Sequence, residues 1–166
     1  MCNIYHELVL SLKAAALTVA VAESCTGGLV AKMITDVPGA SSVFPGGMIT
    51  YSNEMKMRLL NVRRETLEKF GAVSELTVHE MLSGLKDVLN TDAGIAISGI
   101  AGPDGGTPDK PVGTVYVGVY LNDDMLVKRY HFEGTRDTVR EKSAKEAAAM
   151  LHELLTIYGR MGRSRN

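Results

Sequence analysis

The sequence predicts a single α/β domain of three layers (α/β/α), in which helices cover both faces of a mixed β-sheet. Short apolar segments typical of buried strands alternate along the chain with segments whose apolar residues recur at helical spacing. Two of the later apolar segments are separated by only three polar residues, which favours a hairpin and therefore an antiparallel pair. A chain of 166 residues is long enough for one well-filled core and short for two. We therefore expect one domain over residues 1–159, followed by a flexible basic tail over 160–166.

The first third of the chain predicts an N-terminal helix and then two strands, each followed by a helix. Ile4, Leu8 and Leu12 recur at helical spacing, and the stretch TVAVA then has the length and composition of a buried strand. Thr26 has the right side chain to cap the next helix. The predicted elements are a helix over 3–16, a strand over 18–22, a helix from Thr26 that stops before Pro38-Gly39, a strand within 43–51 and a helix from Asn53 to Asn61.

The rest of the chain predicts three helices and three strands. Ser74 is a good N-cap for a long amphipathic helix, and the later stretch AGIAISG is a continuous apolar strand that opens into a glycine-rich loop. Asn122-Asp123-Asp124 separates the two strands of the hairpin. The predicted elements are a short helix over 63–70, a longer helix after Ser74, strands over 93–99, 113–121 and 125–132, and a final helix from about Thr135 to Tyr158.

Composition and charge disfavour several classes of protein. The formal net charge is -1, aromatic residues make up 5% and tryptophan is absent, so no basic stripe or aromatic platform for nucleic acid is present. No apolar run approaches the roughly 20 residues that span a bilayer, and residues 1–7 lack the Lys or Arg of a secretion signal. Cys2 and Cys25 are the only cysteines, which suits a reducing cytoplasm. No metal-binding spacing occurs, so we expect neither a metal nor a cofactor.

A candidate site is expected where two glycine-rich segments follow predicted strands. AESCTGG delivers Ser24 just past the first strand, and SGIAGPDGG follows the strand over 93–99. In α/β domains, ligands bind at the carboxyl ends of strands, so both segments can border one pocket. A helix that begins near Thr26 would also direct the N–H groups of Gly27 and Gly28 at a reacting oxygen beside Ser24, as an oxyanion hole.

A serine nucleophile needs a base, and Lys56 is the candidate. None of the four histidines lies in a glycine-rich segment and no G-x-S-x-G elbow is present, which disfavours a histidine-based triad. Lys56 lies one turn into a helix that begins just after a strand. Its amine must be neutral to accept a proton, and lowering a lysine pKa from about 10.4 to about 7.5 costs roughly 4 kcal/mol, which requires burial or a neighbouring positive charge.

Each of these residues also has an ordinary structural interpretation. A serine before a helix is usually a cap, Cys25 is typical of a small buried hydrophobe, and a helical lysine such as Lys56 is usually solvated. Cys25 could alternatively be activated at a helix N-terminus. Arg136 and Arg140 share one helix face and form either a charged surface or an anion clamp. The SGIAGPDGG loop lacks the P-loop ending and the dinucleotide-binding spacing, so taken alone it is a weak phosphate signal.

Five segments taken together resemble a single family. AESCTGG, FPGGMITYSNEMK, GAVSE, SGIAGPDGGTPDKPVGTV and GTRDTVR look like the CinA C-terminal domain family, in the same order, and the resemblance covers roughly residues 5–158. The enzymatically characterised members of that family are nicotinamide-nucleotide amidohydrolases. The resemblance therefore implies hydrolysis of the carboxamide of nicotinamide mononucleotide, a small-molecule substrate, to nicotinate mononucleotide and ammonia in pyridine nucleotide (NAD) recycling.

The resemblance also implies catalytic roles for individual residues. Ser24 would attack the amide carbonyl as the nucleophile, and Lys56 would be its base. Tyr51 would lie near the site to relay a proton or to orient a group. Cys25 would pack against the pocket or line it.

Substrate binding is implied for a wider set of residues. The phosphate and ribose would be bound by the glycine loop together with an arginine, with Arg140 as the first choice and Arg136 as the second. Thr26 would cap the helix whose amides stabilise the oxyanion. The other residues implied in substrate binding are Gly27, Gly28, Gly99, Gly102, Gly105 and Gly106.

The chain departs mildly from the family pattern. The first helix runs into the strand through Ala14-Ala15-Ala16 without the customary glycine, and Asn61 stands where glycine is common. The larger N-terminal domain of many members is missing, so the sequence resembles the stand-alone form, for which we expect a homodimer. The rival interpretation is a non-catalytic nucleotide-binding domain of the same fold, which is disfavoured because binding alone needs neither Ser24 nor Lys56.

Overall fold

A five-stranded mixed sheet forms the centre of the domain. The structure is a computed structural model that describes residues 3–163, with side chains through residue 160. Its strands are β1 Val19–Glu23, β2 Gly46–Ile49, β3 Ala93–Gly99, β4 Thr114–Leu121 and β5 Asp124–His131. The strand order is β2-β1-β3-β4-β5. The pairs that β1 forms with β2 and β3 are parallel, whereas the β3–β4 and β4–β5 pairs are antiparallel.

Helices cover both faces of this sheet. Within the described chain the α-helices are α1 Ile4–Ala15, α2 Leu29–Thr35, α3 Asn53–Leu60, α4 Arg64–Phe70, α5 Glu75–Leu89 and α6 Arg136–Arg163. Helices α1, α2 and α6 pack on one face, and α3, α4 and α5 lie on the other. The predicted three-layer α/β domain with a mixed sheet is therefore confirmed. None of these helices combines the length and apolar character needed to cross a bilayer.

The last helix is longer than the sequence predicts. The expected end is Tyr158, but α6 continues to Arg163, so residues 160–163 of the predicted basic tail are helical. Gly159 does not stop the helix, because a single glycine inside a helix costs only about 1 kcal/mol. Residues 164–166 of the predicted tail lie outside the described residues.

Several residues on the face of the sheet under α5 are small. The face under α1, α2 and α6 carries branched residues such as Val21, Ile95 and Val117. The face under α5 carries alanines such as Ala20, and a β-carbon added at Gly118 would come within 2.8 Å of side chains on α5. The small residues on this face therefore let α5 lie close to the sheet.

Helix α3 is fixed against α5 through a backbone contact. A β-carbon added at Gly84 of α5 would lie 1.9 Å from the carbonyl oxygen of Leu60, so only glycine admits this approach. At the other end of α3, the side chain of Ser52 accepts a backbone N–H as the N-cap. Asn61 ends the helix in the left-handed conformation, as predicted. Because both ends are held, the first turn of α3, with Lys56, has a fixed position beside the sheet.

The parallel strands create a crevice at their carboxyl ends. Strand β1 lies between β2 and β3, so the loop that follows β1 lies between the loops that follow its two neighbours. This is a topological switch point, where open α/β sheets bind ligands. AESCTGG, the segment that leads to Lys56 and the glycine loop therefore meet at one edge of the sheet, as the sequence predicts.

Candidate functional site

A cavity of about 290 Å³ lies at this edge of the sheet. Its walls come from the end of β1, the segment from β2 into α3, the segment between α4 and α5, the loop after β3 and the first turn of α6. The predicted site residues that line it are Ser24, Tyr51, Lys56, Gly99, Gly102, Gly105 and Arg136. The predicted site residues outside its lining are Thr26, Gly27, Gly28, Gly106 and Arg140.

Ser24 and Lys56 are in direct contact inside the cavity. The Nζ atom of Lys56 lies 3.0 Å from the Oγ atom of Ser24. Lys56 is only 1% exposed and Ser24 7% exposed, so the ordinary interpretation of Lys56 as a solvated helix lysine is wrong. The distance between the two side chains is that of a nucleophile and the base that activates it.

The surroundings of the Lys56 amine favour its neutral form. Burial lowers the pKa of Lys56 from 10.5 to about 8. Among the described residues no carboxylate forms an ion pair with this amine. Its other neighbours are the carbonyl oxygens of Thr50, at 2.8 Å, and of Tyr51, at 3.5 Å. A neutral amine can donate to both carbonyls and keep its lone pair for the hydroxyl proton of Ser24.

Ser24 begins a tight turn that connects β1 to α2. Its N–H donates to the carbonyl oxygen of Ile97 at 3.1 Å, which attaches the turn to β3. The N–H of Gly27 donates back to the carbonyl oxygen of Ser24 at 3.0 Å. Gly27 and Gly28 have φ angles of 60° and 100°, which glycine adopts at little cost. The two glycines of AESCTGG are therefore needed for the backbone conformation of the turn.

The capping of α2 differs from the sequence prediction. The helix begins three residues after Thr26, whose buried hydroxyl has no hydrogen-bond partner among the described residues. Instead, the fully buried carboxylate of Glu23 accepts the N–H groups of Gly28, Val30 and Ala31 at 2.8–3.1 Å. A carboxylate at this place satisfies free helix amides and interacts favourably with the helix dipole. The signal that could have revealed it is an acidic residue that closes an apolar strand just before a helix.

The predicted oxyanion hole is wrong in its donors. The N–H groups of Gly27 and Gly28 already donate, one within the turn and the other to the capping carboxylate. Within the described part of the chain, the N–H groups of this turn that donate to no acceptor are those of Cys25 and Thr26. Cys25 immediately follows Ser24, and in α/β-hydrolases the residue after the nucleophile supplies one oxyanion donor.

Arg136 and Tyr51 form the rim of the cavity on the side of α6. Arg136 donates through Nη1 to the carbonyl oxygen of Gly102 at 2.8 Å and through Nη2 to the hydroxyl of Tyr51 at 3.0 Å. The Tyr51 residue is 59% exposed. Its hydroxyl therefore contacts Arg136, and its contact with Lys56 is made by the backbone carbonyl.

Arg140, the first choice for phosphate binding from the sequence, lies behind the turn that carries Ser24. Its Nε atom donates to the carbonyl oxygen of Cys25 at 3.2 Å, and its Nη2 atom donates to that of Thr26 at 2.9 Å. The guanidinium group is thus engaged with backbone and does not line the cavity. Of the two predicted arginines, Arg136 is the one in the cavity wall.

The loop after β3 brings backbone close to the cavity. Gly99, Gly102 and Gly105 line it, and Gly102 and Gly105 have φ angles of 87° and 94°. Gly106 has a different role, because a β-carbon added there would lie 2.7 Å from the backbone nitrogen of Val112. Gly106 is therefore required for packing within the loop.

Cys25 lines the cavity as a thiol. It is 6% exposed, and burial raises its pKa to about 12, so it stays protonated at neutral pH. This fits the interpretation of a small buried hydrophobe. In the described residues, no group of three or more His, Cys, Asp or Glu side chains could hold a metal ion.

Known proteins are similar to this chain in sequence. The family model of the CinA C-terminal domain matches residues 2–155. A CinA-like protein of Thermotoga neapolitana is 52% identical over 143 residues, which are 86% of this chain and 35% of that protein. A CinA-like protein of Kosmotoga olearia is 50% identical over 151 residues, 90% of this chain and 37% of that protein. The chain thus spans about a third of the length of these curated relatives.

Solved structures share the fold as well. A CinA superfamily protein of Klebsiella pneumoniae has a TM-score of 0.89 and 35% identity, covering 92% of this chain and 96% of that chain. A competence/damage inducible protein of Agrobacterium tumefaciens has a TM-score of 0.87 and 33% identity, covering 94% of this chain and 97% of that chain. On sequence and on fold, the chain belongs to the CinA C-terminal domain family.

Proposed function

We propose that this chain is a nicotinamide-nucleotide amidohydrolase, which hydrolyses the carboxamide of nicotinamide mononucleotide to nicotinate mononucleotide and ammonia. The observation that carries the proposal is the buried Lys56 amine, 3.0 Å from the Ser24 hydroxyl. Burying an amine without a carboxylate partner costs stability, and a domain that only bound nucleotide would have no use for this pair. A serine that cleaves an amide needs such a base.

The first half of the reaction acylates Ser24. Neutral Lys56 takes the hydroxyl proton while the Oγ atom of Ser24 attacks the carboxamide carbon. The negative charge that develops on the carboxamide oxygen is stabilised by the free N–H of Cys25, which lines the cavity. The tetrahedral intermediate then collapses as protonated Lys56 gives its proton to the leaving nitrogen, and ammonia departs.

The second half of the reaction releases the acid. A water molecule attacks the ester on Ser24, and Lys56, neutral again, takes the proton from that water. The bond between Oγ and the acyl carbon breaks, the proton on Lys56 returns to Ser24, and nicotinate mononucleotide leaves. One base thus serves both halves, which agrees with its contact to Oγ and with its place in the cavity wall.

Charges at the cavity mouth fit the proposed substrate. Nicotinamide mononucleotide combines an anionic phosphate with a cationic pyridinium ring. Arg136 supplies a guanidinium for the phosphate, and Asp104, on the loop after β3, supplies a carboxylate to the lining of the same cavity. Free nicotinamide has neither charge and makes neither contact, so we expect it to bind more weakly.

The test is ammonia release from nicotinamide mononucleotide by the purified protein and its Ser24→Ala variant. Nicotinamide and glutamine serve as control amides, and Ser42→Ala, at an exposed serine, is the matched control variant. Release by the wild type and Ser42→Ala, but not by Ser24→Ala, would establish the substrate and the nucleophile. Binding of the nucleotide without release of ammonia would instead favour the non-catalytic domain.

Two further expectations accompany the proposal. The family resemblance implies a homodimer, and the scarcity of cysteine suits the cytoplasm. Sedimentation equilibrium of the purified chain tests the first, because a mass of one chain at all concentrations would contradict it. Cell fractionation tests the second.

A further inference from the structure

We propose that Arg140 is a positioning residue. It holds the nucleophile turn, residues 24–28, in the conformation that presents the N–H group of Cys25 to the oxyanion. The inference rests on the proposed function for its chemical step, because an oxyanion forms only if Ser24 attacks a carbonyl. It gives Arg140 a role different from phosphate binding.

The hydrogen bonds of the turn show which groups are free. Ser24 donates to β3, Gly27 donates to Ser24, and Gly28 donates to the capping carboxylate. The carbonyl oxygens of Cys25 and Thr26 accept from Arg140. Buried backbone groups are nearly always paired in folded proteins. Of the two remaining N–H groups, that of Thr26 belongs to a fully buried residue outside the cavity lining, whereas Cys25 lines the cavity. The N–H of Cys25 therefore stands out as the donor for an oxygen that arrives with the substrate.

Arg140 determines the direction in which this donor points. One planar guanidinium contacts two successive carbonyl oxygens, at 3.2 Å and 2.9 Å. In a trans peptide unit the C=O and the N–H point in opposite directions. The carbonyl of Thr26 shares a peptide unit with the N–H of Gly27, so Arg140 directs that N–H to the carbonyl of Ser24. The carbonyl of Ser24 shares a peptide unit with the N–H of Cys25, which therefore points away from Gly27. Without Arg140, these peptide units could rotate and the donor would be lost.

The guanidinium has little capacity left for a substrate. Two of its nitrogens donate to the turn, and the third, Nη1, lies 3.9 Å from the carboxylate of Asp137. Its Nη2 atom also packs against the turn, because a β-carbon added at Gly27 would lie 3.4 Å from it. Arg136, one helical turn earlier, faces the cavity instead. Arg136 is therefore available to a substrate, whereas Arg140 holds the turn.

The first test separates catalysis from binding. Arg140→Ala should lower kcat by about 10- to 100-fold with KM nearly unchanged, because a misplaced oxyanion donor acts on the transition state. Arg140→Lys keeps the charge but donates a single point contact, so we expect an intermediate loss. Guanidinium ion at millimolar concentration should restore part of the activity of Arg140→Ala, whereas sodium chloride should not. Lys145→Met removes a positive charge from the exposed side of the same helix and is the matched control.

The second test does not need the proposed substrate. Phenylmethanesulfonyl fluoride labels activated serines: Oγ of Ser24 bonds to sulfur, fluoride leaves, and the hydroxyl proton passes to Lys56. The mass increase should be absent in Ser24→Ala. We expect Arg140→Ala to be labelled about tenfold more slowly than the wild type, and guanidinium to restore the rate, because the sulfonyl oxygen would accept from the same donor.

The outcomes distinguish this inference from the proposed function. Slower labelling of Arg140→Ala, in a wild type that releases no ammonia from nicotinamide mononucleotide, would support the positioning role and refute the substrate. Unchanged labelling together with a raised KM would overturn the positioning role and make Arg140 a substrate-binding residue. A folded wild type that is neither labelled nor active would overturn both. Circular dichroism of each variant checks that it is folded.

Discussion

Replacing Lys56 with methionine should abolish activity and at the same time stabilise the protein at neutral pH. The side chain is 1% exposed and has no carboxylate partner among the described residues, so its charged form is held in an unfavourable environment. Methionine has a similar length and no charge. The proposed base is therefore also a source of instability, as is common for catalytic groups.

The size of the effect follows from the pKa of Lys56. A pKa that falls from 10.5 to about 8 on folding corresponds to about 3 kcal/mol of destabilisation when the amine is protonated. Methionine removes this cost but leaves the carbonyl oxygen of Thr50 without its donor, which costs about 1–2 kcal/mol. The net gain at pH 7 is then about 1–2 kcal/mol. For a domain of this size, that raises Tm by about 2–8 °C.

The sign of the effect depends on pH. Between pH 8 and pH 10.5 the unfolded wild type binds more protons than the folded one, so wild-type stability rises with pH. The advantage of Lys56→Met is therefore complete below pH 8 and shrinks as the pH rises. It should vanish between about pH 9 and pH 10, where the remaining cost of the lysine equals the cost of the unpaired carbonyl of Thr50, and it should be reversed at about pH 10.5.

The assay is urea unfolding of the wild type and Lys56→Met at several pH values from 7 to 10.5. Comparing the two proteins cancels the titration of all other groups. Lys145→Met, at an exposed position of α6, is the matched control and should differ from the wild type by a constant small amount. A stability difference between the wild type and Lys56→Met that does not change with pH would refute the reasoning, because the folded and unfolded pKa values of Lys56 would then be equal.

Three further predictions follow from residues around the site and the helix ends. The kcat/KM of the wild type should rise about 50-fold between pH 6 and pH 8, because the neutral fraction of a group with a pKa of about 8 rises by that factor; a flat pH–rate profile would exclude Lys56 as the base. Glu23→Ala should lose about 3 kcal/mol in urea unfolding, since three N–H groups at the start of α2 lose a charged acceptor; a loss below 1 kcal/mol would contradict its role as the cap. Ala16 ends α1 with a φ of 54°, so Ala16→Gly should stabilise the protein by about 0.5–1 kcal/mol, whereas Ala14→Gly inside the helix should destabilise it by a similar amount; equal signs in calorimetry would contradict the strain at Ala16.

Much of the fold could be predicted because its signals are local. The strands are short apolar runs that are buried by helices on both sides, and the predicted range 93–99 is the observed range of β3. Ser74 and Asn61 cap helices through interactions close in sequence: the Ser74 side chain accepts a backbone N–H of its own helix, and Asn61 adopts the left-handed conformation. The placement of Ser24 near Lys56 was also predictable, because both follow parallel strands whose carboxyl ends meet at one edge.

The sequence predictions that the structure contradicts concern groups whose partners are distant in sequence or are of an unusual residue type. Thr26 has the residue type of a cap, yet the carboxylate of Glu23 takes that role because the turn between β1 and α2 brings it to the helix amides. Arg136 and Arg140 lie on one helix face about 6 Å apart along its axis. Only the docking of α6 on the sheet decides which of them reaches the cavity and which reaches the turn.

The contact between Arg140 and the nucleophile turn joins residues 115 positions apart in the chain, which has a consequence for synthesis. The ribosome makes all five strands, together with Ser24 and Lys56, before it makes α6. Ser24 and Lys56 are therefore present in the nascent chain while both arginines are still missing. Under the proposed role of Arg140, Ser24 reaches its full reactivity only after α6 has docked.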